Sequence, residues 1–489
     1  MRPFGAWEPD RYELNANVAG EAAGVLPVPD GYQPWPALTP YSTGLPSACR
    51  GAVMVRGSGG QYKIYAGTAT KLYVFDGGTG WTEATRLAGG DYVVAEDTRW
   101  SFARFGTRLI ACQENDDVQF IDIDSGTNFA ALGGSPPKAK GVIAVGDQVF
   151  LVGLLNNPNR VIWSGRNNSD WWTVGQQDCD FQDFPSGGFV NGLAPLIGGT
   201  NAGLIFQDEA INFLQAVADK RIYTMAQIEG STGLKARDSL VVMGPNAYYL
   251  SEDGFMETGL GGSRPIGADR VDGWFQDNVY GERIAFTQGC VDPVHRRVFW
   301  LFPTENAGYV LDQALCYDKS TDRWTHTQLD AEFLLAAASP GISPDGMTAL
   351  GYTNLDLLPF SLDNRIWQGG APSLAGFDSA HKLSFFAGAN LAATMETGEW
   401  EPVPGRRMYV RGIRPYTDSA SGTIAVSGRE NQKSTTARTY AAATAINDQG
   451  FAPQRVSTRF SRARLSIAAG ETWNKALGVE YDADDDGER

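Results

Sequence analysis

Apolar residues recur at every second position in many short segments of this chain, and most segments end in Gly, Asn, Asp or Pro. The stretch QYKIYAGTATKLYVFDGGTGWTEAT reads as three strands separated by two turns. Its Asp76-Gly77-Gly78 step is a hairpin-turn signal, because tight hairpin turns need residues with positive φ. Alternation with a period of two is typical of a strand that buries one face. The pattern therefore predicts an all-β protein.

Strand-and-turn units of this kind repeat from residue 49 to residue 370. The spacing is roughly 35–50 residues, and repeats of that length with several strands each are typical of propeller blades. We therefore predict a β-propeller over residues 49–370, with about six to eight blades. Residues 262–283 interrupt the rhythm, and we expect a short helix around Val271–Asp277 that connects two blades or forms an insertion.

The two ends of the chain differ from this body. After residue 370 the strands are longer and alternate more strictly, as in residues 460–467, which predicts a β-sandwich-like domain over residues 371–489. Residues 1–48 have little periodicity, and five prolines lie between Leu26 and Tyr41. Because proline cannot donate to a sheet ladder, we expect residues 1–48 to form an extended arm.

Large apolar side chains are interleaved with the prolines of this arm, which favours docking onto a partner over a disordered leader. The predicted docking residues are Leu26, Val28, Tyr32, Trp35 and Leu38. If the arm binds a partner, deleting residues 1–45 should abolish assembly and leave the propeller folded.

The composition fits many short strands joined by turns, since the 489 residues include 58 Gly and 25 Pro. The net charge of −16 is the reverse of the basic surface that a sequence-independent DNA-binding protein needs. An acidic wall could still let DNA slide past it by repelling phosphate. Ordinary solubility accounts for the same charge.

Cysteines and segment composition bear on where the protein is made. The five cysteines, at positions 49, 112, 179, 290 and 316, are widely spaced and include no CxxC pair. We expect free, mostly buried thiols and synthesis in a reducing compartment. No apolar run approaches the length of about 18 residues that spans a bilayer, and the first residues lack a signal-peptide layout. The sequence thus predicts synthesis in the cytoplasm.

Signals for catalysis and metal binding are weak. The three histidines, His295, His326 and His381, lie in different segments, and the sequence has no GxSxG, HExxH or P-loop motif. Residues 482–487 mimic the opening of a calcium loop, but the distal Glu is missing, which favours a solvated acidic tail. We predict no enzyme activity, no catalytic residue, no cofactor and no metal.

Two further patterns are compatible with a carbohydrate-active propeller. Asp178, Asp180 and Asp183 lie close to Trp171 and Trp172, and paired carboxylates serve glycoside hydrolysis, although acids are also common in turns. The turns at residues 251–254 and 343–346 have the form SxDG, which resembles part of the Asp-box turn of sialidase-like propellers. These turns support a propeller without implying catalysis.

Arginines are concentrated in two segments of the C-terminal domain. The first set is Arg406, Arg407, Arg411 and Arg414, and the second is Arg455, Arg459, Arg462 and Arg464. If the two strand regions are neighbours, they form a positive face suited to an acidic partner protein. A solvated sheet face is the alternative. We predict Arg406, Arg407, Arg411 and Arg414 as partner-binding residues.

Several long segments resemble one protein family. These segments are NRVIWSGRNNSDWWTVG, GGFVNGLAPLIGGTNAGLIFQDEAINFLQ and METGEWEPVPGRRMYVRGIRPYTDS, together with LPVPDGYQPWPAL near the N-terminus. They resemble the tail-hub or nozzle proteins of short-tailed bacteriophages, which include packaged-DNA stabilisation proteins. The resemblance covers residues 20–415 and lies in the order of phrases.

The resemblance implies an architectural virion protein with a propeller body. Six copies would form a homo-hexameric ring below the portal and adaptor, continue the channel for double-stranded DNA, retain the packaged DNA and dock tail fibres or spikes. The alternative is a tail-associated propeller that binds or hydrolyses glycans. The family role transfers no functional residue to this chain, and neither a small-molecule substrate nor sequence-specific DNA binding is expected.

Overall fold

The structure is a computed structural model of the 489-residue chain. It describes all residues except 13, 15–16, 76, 78–79, 197–200, 218–221, 306, 308–309, 339–353, 355–371, 402–404, 432–438 and 487–489. Within the described residues the regular secondary structure is almost entirely strand, so the predicted all-β propeller class is confirmed. Two of the predicted turns, the Asp76–Gly78 hairpin and the SxDG turn at residues 343–346, fall wholly or partly outside the described residues.

Six short strands precede the first blade. They are β1 (Arg2–Pro3), β2 (Ala6–Trp7), β3 (Val18–Ala23), β4 (Val25–Val28), β5 (Gly31–Pro34) and β6 (Pro36–Gly44).

Five consecutive four-stranded antiparallel sheets follow, and each is one blade. Blade one holds β7 (Ala52–Arg56), β8 (Tyr62–Gly67), β9 (Leu72–Phe75) and β10 (Thr82–Glu83). Blade two holds β11 (Ser101–Phe105), β12 (Arg108–Cys112), β13 (Gln119–Asp122) and β14 (Ala130–Ala131). Blade three holds β15 (Ala139–Val145), β16 (Gln148–Leu154), β17 (Arg160–Trp163) and β18 (Asp180–Asp183). Blade four holds β19 (Val190–Pro195), β20 (Ala202–Gln207), β21 (Ile211–Ala216) and β22 (Tyr223–Glu229). Blade five holds β23 (Val241–Met243), β24 (Asn246–Ser251), β25 (Gly254–Gly259) and β26 (Gly262–Pro265).

A short helix connects blade five to blade six, as the break in the sequence pattern predicted. Helix α1 spans Asp272–Asn278, and a 3-10 segment spans Gly281–Phe286. A second 3-10 segment, Arg237–Ser239, leads into blade five. Among the described residues, no helix has the length and apolarity needed to cross a membrane.

One long strand belongs to two blades. Blade six holds β27 (Gln288–Val291), β28 (Arg297–Phe302), β29 (Leu311–Asp318) and the first half of β30 (Arg323–Ala338). The second half of β30 pairs with β31 (Pro372–Asp378), and β31 pairs with β32 (Lys382–Asn390). Bulges near Ala331 mark the point where the strand passes from one blade to the next.

The N-terminal strand β6 completes this seventh blade by pairing with β32 in antiparallel register, with Thr39 opposite Phe385. The innermost strands β7, β11, β15, β19, β23 and β27 and the second half of β30 then pack side by side in a closed circle. The propeller therefore has seven blades, and the two ends of its sequence meet in the last one.

The apolar core of the propeller is a ring of clusters that lie between neighbouring blades. Tyr65 and Leu72 of blade one pack with Leu109 and Ile121 of blade two, and equivalent clusters follow around the circle. The inner strands leave a central cavity of about 520 Å³, lined by residues of all seven blades. Each blade buries apolar faces against its two neighbours, and blades five and six also pack against the sandwich, so closure of the circle stabilises every blade.

The C-terminal strands form a two-layer sandwich with strands from the N-terminus. The strands are β33 (Ala393–Thr397), β34 (Met408–Thr417), β35 (Thr423–Arg429), β36 (Thr444–Ala445), β37 (Ala452–Thr458), β38 (Phe460–Ile467) and β39 (Ala476–Asp485). One layer has the order β37-β34-β39-β5-β4, with β1 paired to β39. The other runs β3-β33-β38-β35-β36 and joins β30, so it continues the sheet of blade six in a 13-stranded sheet. Val410 and Val426 from the two layers meet in the shared core.

The structure corrects the predicted domain boundaries at both ends. Residues 372–390 belong to the propeller rather than to the predicted C-terminal domain 371–489, because β31 and β32 complete blade seven. Residues 1–48 are extended, but their strands lie inside the protein's own sheets instead of reaching out as an arm. Deletion of residues 1–45 would remove β6, the outer strand of blade seven. The propeller would then not stay folded, contrary to the expectation from the sequence.

The side chains predicted to dock onto a partner lie in the protein's own core. Leu26, Tyr32 and Trp35 are at most 7% exposed. Val28 is half-buried in β4, and Leu38 packs against the core cluster between blades six and seven. Burial of an apolar side chain is equally favourable in free energy within its own chain and against a partner. The spacing of these residues therefore did not distinguish an internal core from a docking surface.

We expect Trp35→Ala to lower the free energy of unfolding by about 3–5 kcal/mol, because the ring is 1% exposed and packs edge-on to Phe299 with centroids 5.3 Å apart. Urea unfolding followed by circular dichroism would measure this change. Leu87→Ala is the matched control, because Leu87 is 87% exposed and its loss should change stability by less than about 0.5 kcal/mol. Equal stability of the two variants would contradict the internal packing of residues 1–48.

Candidate functional site

The predicted positive face of the C-terminal domain is neutralised by the chain's own acidic end. Residues 482–485 lie in β39 beside β34, and the register places Arg414 opposite Glu480. Arg411 binds Asp482 at 2.7 Å and Asp484 at 3.1 Å, and Arg406 binds Asp485 at 2.6 Å. The acidic end is therefore a paired strand rather than a solvated tail, and the arginines already have acidic partners within the chain.

The remaining arginines of the two sets are mostly paired as well. Arg407 binds Glu430 at 2.7 Å, Arg459 binds Glu401 at 2.5 Å, and Arg462 lies 3.5 Å from Glu396. Arg464 also pairs with Glu396. The two strand regions are neighbours, since β34 pairs with β37, but they do not form a positive face.

The outer face of β34 nevertheless has the composition of a contact surface. Met408, Val410 and Ile413 are buried in the core, whereas four other residues of β34 are exposed and point outward. These outward residues are Tyr409, Arg411, Arg414 and Tyr416, and the two tyrosines are 36% and 40% exposed. We call these four residues the β34 face.

The carboxylates considered for glycoside hydrolysis have structural partners. Asp183 binds Arg160 through two hydrogen bonds of 2.6 and 2.8 Å, and that arginine stacks on Phe181. The pairing lowers the pKa of Asp183. Asp178 binds Arg166 at 2.9 Å. Asp180 accepts a hydrogen bond from the backbone N–H of Phe181 at 2.9 Å. These three acids thus stabilise β18, the outer strand of blade three, and the turn that precedes it.

The three histidines also form local pairs with carboxylates. His295 lies 2.8 Å from Asp292 in an exposed turn. His381 pairs with Glu332, whose other oxygen accepts the backbone N–H of Cys49 at 2.8 Å. His326 pairs with Glu21 and contacts the rings of Trp7 and Trp274, which also contact each other. Each histidine joins segments that are distant in sequence or closes a turn.

The five thiols are free and buried, as predicted. Burial raises the pKa of each thiol, and that of Cys179 to about 11. They are therefore protonated at neutral pH and weakly nucleophilic. Within the part of the chain that the structure describes, no group of three or more His, Cys, Asp or Glu residues could hold a metal ion.

One end of the propeller axis is bridged by a charged side chain that the sequence did not single out. Arg99 precedes β11, and its side chain is 3% exposed. It donates to Asp238 of the loop before blade five at 3.3 Å and to the backbone oxygen of Phe286 before blade six at 3.0 Å. The guanidinium also covers the ring of Phe286 at 4.1 Å. This contact crosses the axis and obstructs one end of the central cavity.

A second buried charge joins blades five and six. Glu257 in β25 is 3% exposed and accepts hydrogen bonds from Lys319, Arg264 and Tyr248 at 2.7, 2.7 and 2.8 Å. Burial alone would raise the pKa of Glu257, but the hydrogen bonds from these three groups outweigh it and lower the pKa to about 2. Sequence reasoning missed Glu257 and Arg99 because Lys319, which links Glu257 to blade six, and Asp238, which binds Arg99, lie 62 and 139 residues away.

Comparison with known proteins identifies no family for this chain. No protein-family model matches the chain, and no curated protein matches its sequence. A quinonprotein alcohol dehydrogenase-like protein from Bacteroides thetaiotaomicron is 12% identical, with a TM-score of 0.35, over 57% of this chain and 66% of that chain, just under two thirds of its length.

Two other solved structures are similar to this chain. The WD40 β-propeller domain of Doa1 is 9% identical over 72% of this chain and 95% of that chain, with a TM-score of 0.39. A fungal alcohol oxidase of the AA5 family, solved in complex with copper, is 8% identical over 87% of this chain and 99% of that chain, with a TM-score of 0.38. No activity, ligand or partner follows for this chain from identities this low.

We expect Glu257→Gln to lower the free energy of unfolding at pH 7 by about 1–3 kcal/mol, because the buried carboxylate would lose its charge-assisted hydrogen bonds to Lys319 and Arg264, whose side chains are 31% and 55% exposed. A carboxyl with a lowered pKa stabilises the fold fully above its unfolded pKa of about 4.3 and loses that contribution as the pH falls towards about 2. The difference between variant and wild type should therefore shrink between these pH values, as measured by denaturant unfolding at a series of pH values.

The matched control is Glu83→Gln, since Glu83 forms an exposed pair with Lys71 and contributes less than about 1 kcal/mol. The difference in free energy of unfolding between Glu257→Gln and wild type could instead stay constant from pH 7 to pH 2. That result would contradict a lowered pKa of Glu257 in the folded protein.

Proposed function

We propose that this chain is a structural subunit of the tail nozzle of a short-tailed bacteriophage. Six copies form a ring that continues the DNA channel below the portal and adaptor, retains packaged DNA, passes it during ejection and docks fibres or spikes. The protein is made in the host cytoplasm and becomes part of the virion. The resemblance of residues 20–415 to this family motivates the proposal.

The β34 face is the observation that carries the proposal. Tyrosine and arginine are enriched at the centres of protein interfaces, where flat rings and guanidinium groups bury much area at little entropic cost. The carboxylates of Asp482 and Asp484 neutralise Arg411. Copies of a chain with a net charge of −16 repel one another. A locally neutral aromatic surface is therefore a favourable place for a second protein surface to bind.

The connection between the propeller and the sandwich supports a structural role. The 13-stranded sheet extends from β27 of blade six to β36 of the sandwich, and β3 joins β30 in it through the pairing of Ala23 with His326. Blade six and the sandwich also share an apolar core, which restricts their relative motion more than a flexible linker does. A ring subunit needs such a fixed orientation of its domains, because its lateral and axial contacts must be satisfied together.

The DNA path in this proposal lies between subunits and not along a propeller axis. The cavity on that axis has about 520 Å³, and Arg99 crosses one end of it. A duplex whose major groove alone is about 12 Å wide does not fit there. The six copies together enclose the channel, and the net negative charge of the chain keeps phosphate from adhering to its wall.

Cryo-electron microscopy of the intact particle, processed without imposed symmetry, tests the proposal. We expect six copies around a central channel beneath the adaptor. Density for this chain at the tail periphery, or as separate monomers or trimers, would overturn the nozzle role.

We expect the double variant Tyr409→Ala and Tyr416→Ala to weaken association between subunits by about tenfold or more, because each exposed ring is the large apolar contact of the β34 face. Native mass spectrometry of the purified ring over a dilution series would measure the loss. The circular dichroism spectrum should stay unchanged, since neither ring belongs to the core. Leu87→Ala is the control, and a ring equally stable in both variants would exclude the β34 face as a subunit contact.

A further inference from the structure

A cavity of about 600 Å³ lies at the end of the propeller axis that Arg99 bridges. Its walls come from the segments that lead into the inner strands of blades two to six, so it is formed by the closed circle and not by one blade. This volume is in the range of sites for small molecules. None of the patterns in the sequence pointed to it.

The more buried side chains of this cavity carry an excess of positive charge. The cations are Arg99, Lys235, Arg237 and Arg283, and the carboxylates are Glu114 and Asp238. The sum is +4 and −2, a net charge of +2. Lys235 also binds Glu252 at 2.5 Å, but that carboxylate is 70% exposed and lies outside the cavity. Even with Glu252 included, the inner part of the cavity keeps a net positive charge.

Two guanidinium groups share one carboxylate at the bottom of the cavity. Arg99 donates to one oxygen of Asp238 at 3.3 Å, and Nε of Arg237 lies 3.7 Å from the other oxygen. The second distance is longer than a hydrogen bond, so the guanidinium of Arg237 retains donors for another acceptor.

The entrance of the cavity has the opposite character. The exposed lining residues are Asp97, Lys140, Asp208 and Glu282, with a sum of +1 and −3. Carboxylates accept hydrogen bonds from hydroxyl groups and repel a second anion. The cavity therefore combines a cationic floor with a hydroxyl-accepting entrance.

We propose that this cavity binds a small phosphate monoester that carries hydroxyl groups, with the phosphate against the guanidinium of Arg237 and with the buried Arg99 behind it as a second cation. Guanidinium groups match phosphate oxygens through pairs of parallel hydrogen bonds. A phosphate monoester has a charge of about −1.5 to −2 at neutral pH, which balances the net charge of the inner cavity. The hydroxyl groups then face Asp97, Asp208 and Glu282 at the entrance. This site is independent of the nozzle role and of the β34 face.

Calorimetric titration of the full-length protein with ribose 5-phosphate tests the proposal, with ribose and inorganic phosphate titrated separately. We expect ribose 5-phosphate to bind at least about tenfold more tightly than ribose or inorganic phosphate. Only the ester contacts both the basic side chains inside the cavity and the carboxylates at its entrance. Arg237→Gln should weaken its binding by about tenfold or more, as expected for loss of a charge-assisted hydrogen bond. Arg56→Gln is the matched control, because Arg56 is exposed in blade one outside the cavity.

Arg99→Gln is a second variant and should abolish binding. Loss of the buried contacts of Arg99 could also unfold the propeller. In that case the affinity of Arg237→Gln alone tests the proposal, because the Arg237 side chain is 24% exposed. Three results would overturn the proposal. They are absence of binding by ribose 5-phosphate, equal affinity of Arg237→Gln and wild type, and equal affinity for inorganic phosphate and the ester.

Discussion

Closure of the seven blades by the N-terminal strand is the constraint on which the rest of the structure depends. Every apolar cluster of the propeller lies between two blades, so an open circle would expose the two faces that flank the gap. The pairing of β6 with β32 closes that gap with a strand that precedes blade one in the chain. Blade seven can therefore fold only after the chain has been synthesised up to residue 390. The strands that precede blade one contribute to the core only from that point.

The same closure joins the propeller to the C-terminal sandwich. Between β2 and β6 the chain passes through both layers of the sandwich, and β3 also contacts the outer edge of blade six through the pairing of Ala23 with His326. An outer strand that would otherwise present an unpaired edge is thus covered by the chain itself. Because one segment serves both units, neither could reach its final packing without the other.

Charge is distributed unevenly over a chain whose net charge is −16. On the sandwich, acids of β39 neutralise the arginines of β34 and leave an outer face with exposed tyrosine rings. At the propeller axis, basic side chains gather where burial should make charge expensive, and Asp238 compensates only part of them. The first arrangement suits contact with a protein surface, and the second suits an anionic ligand. The two proposals rest on different parts of the molecule.

Local signals in the sequence determined the elements of this protein. Period-two alternation and Gly, Asn or Asp turns predicted the strands and the propeller, and the interrupted rhythm around Val271–Asp277 predicted α1. Only the tertiary structure decided what those elements contact. The apolar residues Tyr32 and Trp35 fit a partner surface or an internal core equally well, because hydrophobic burial is non-directional. Arg411 and Asp482 become neighbours through strand pairing over 71 residues, and Arg99 meets Asp238 only when the circle closes. Such long-range pairs depend on the path of the whole chain, and no local pattern of residues records that path.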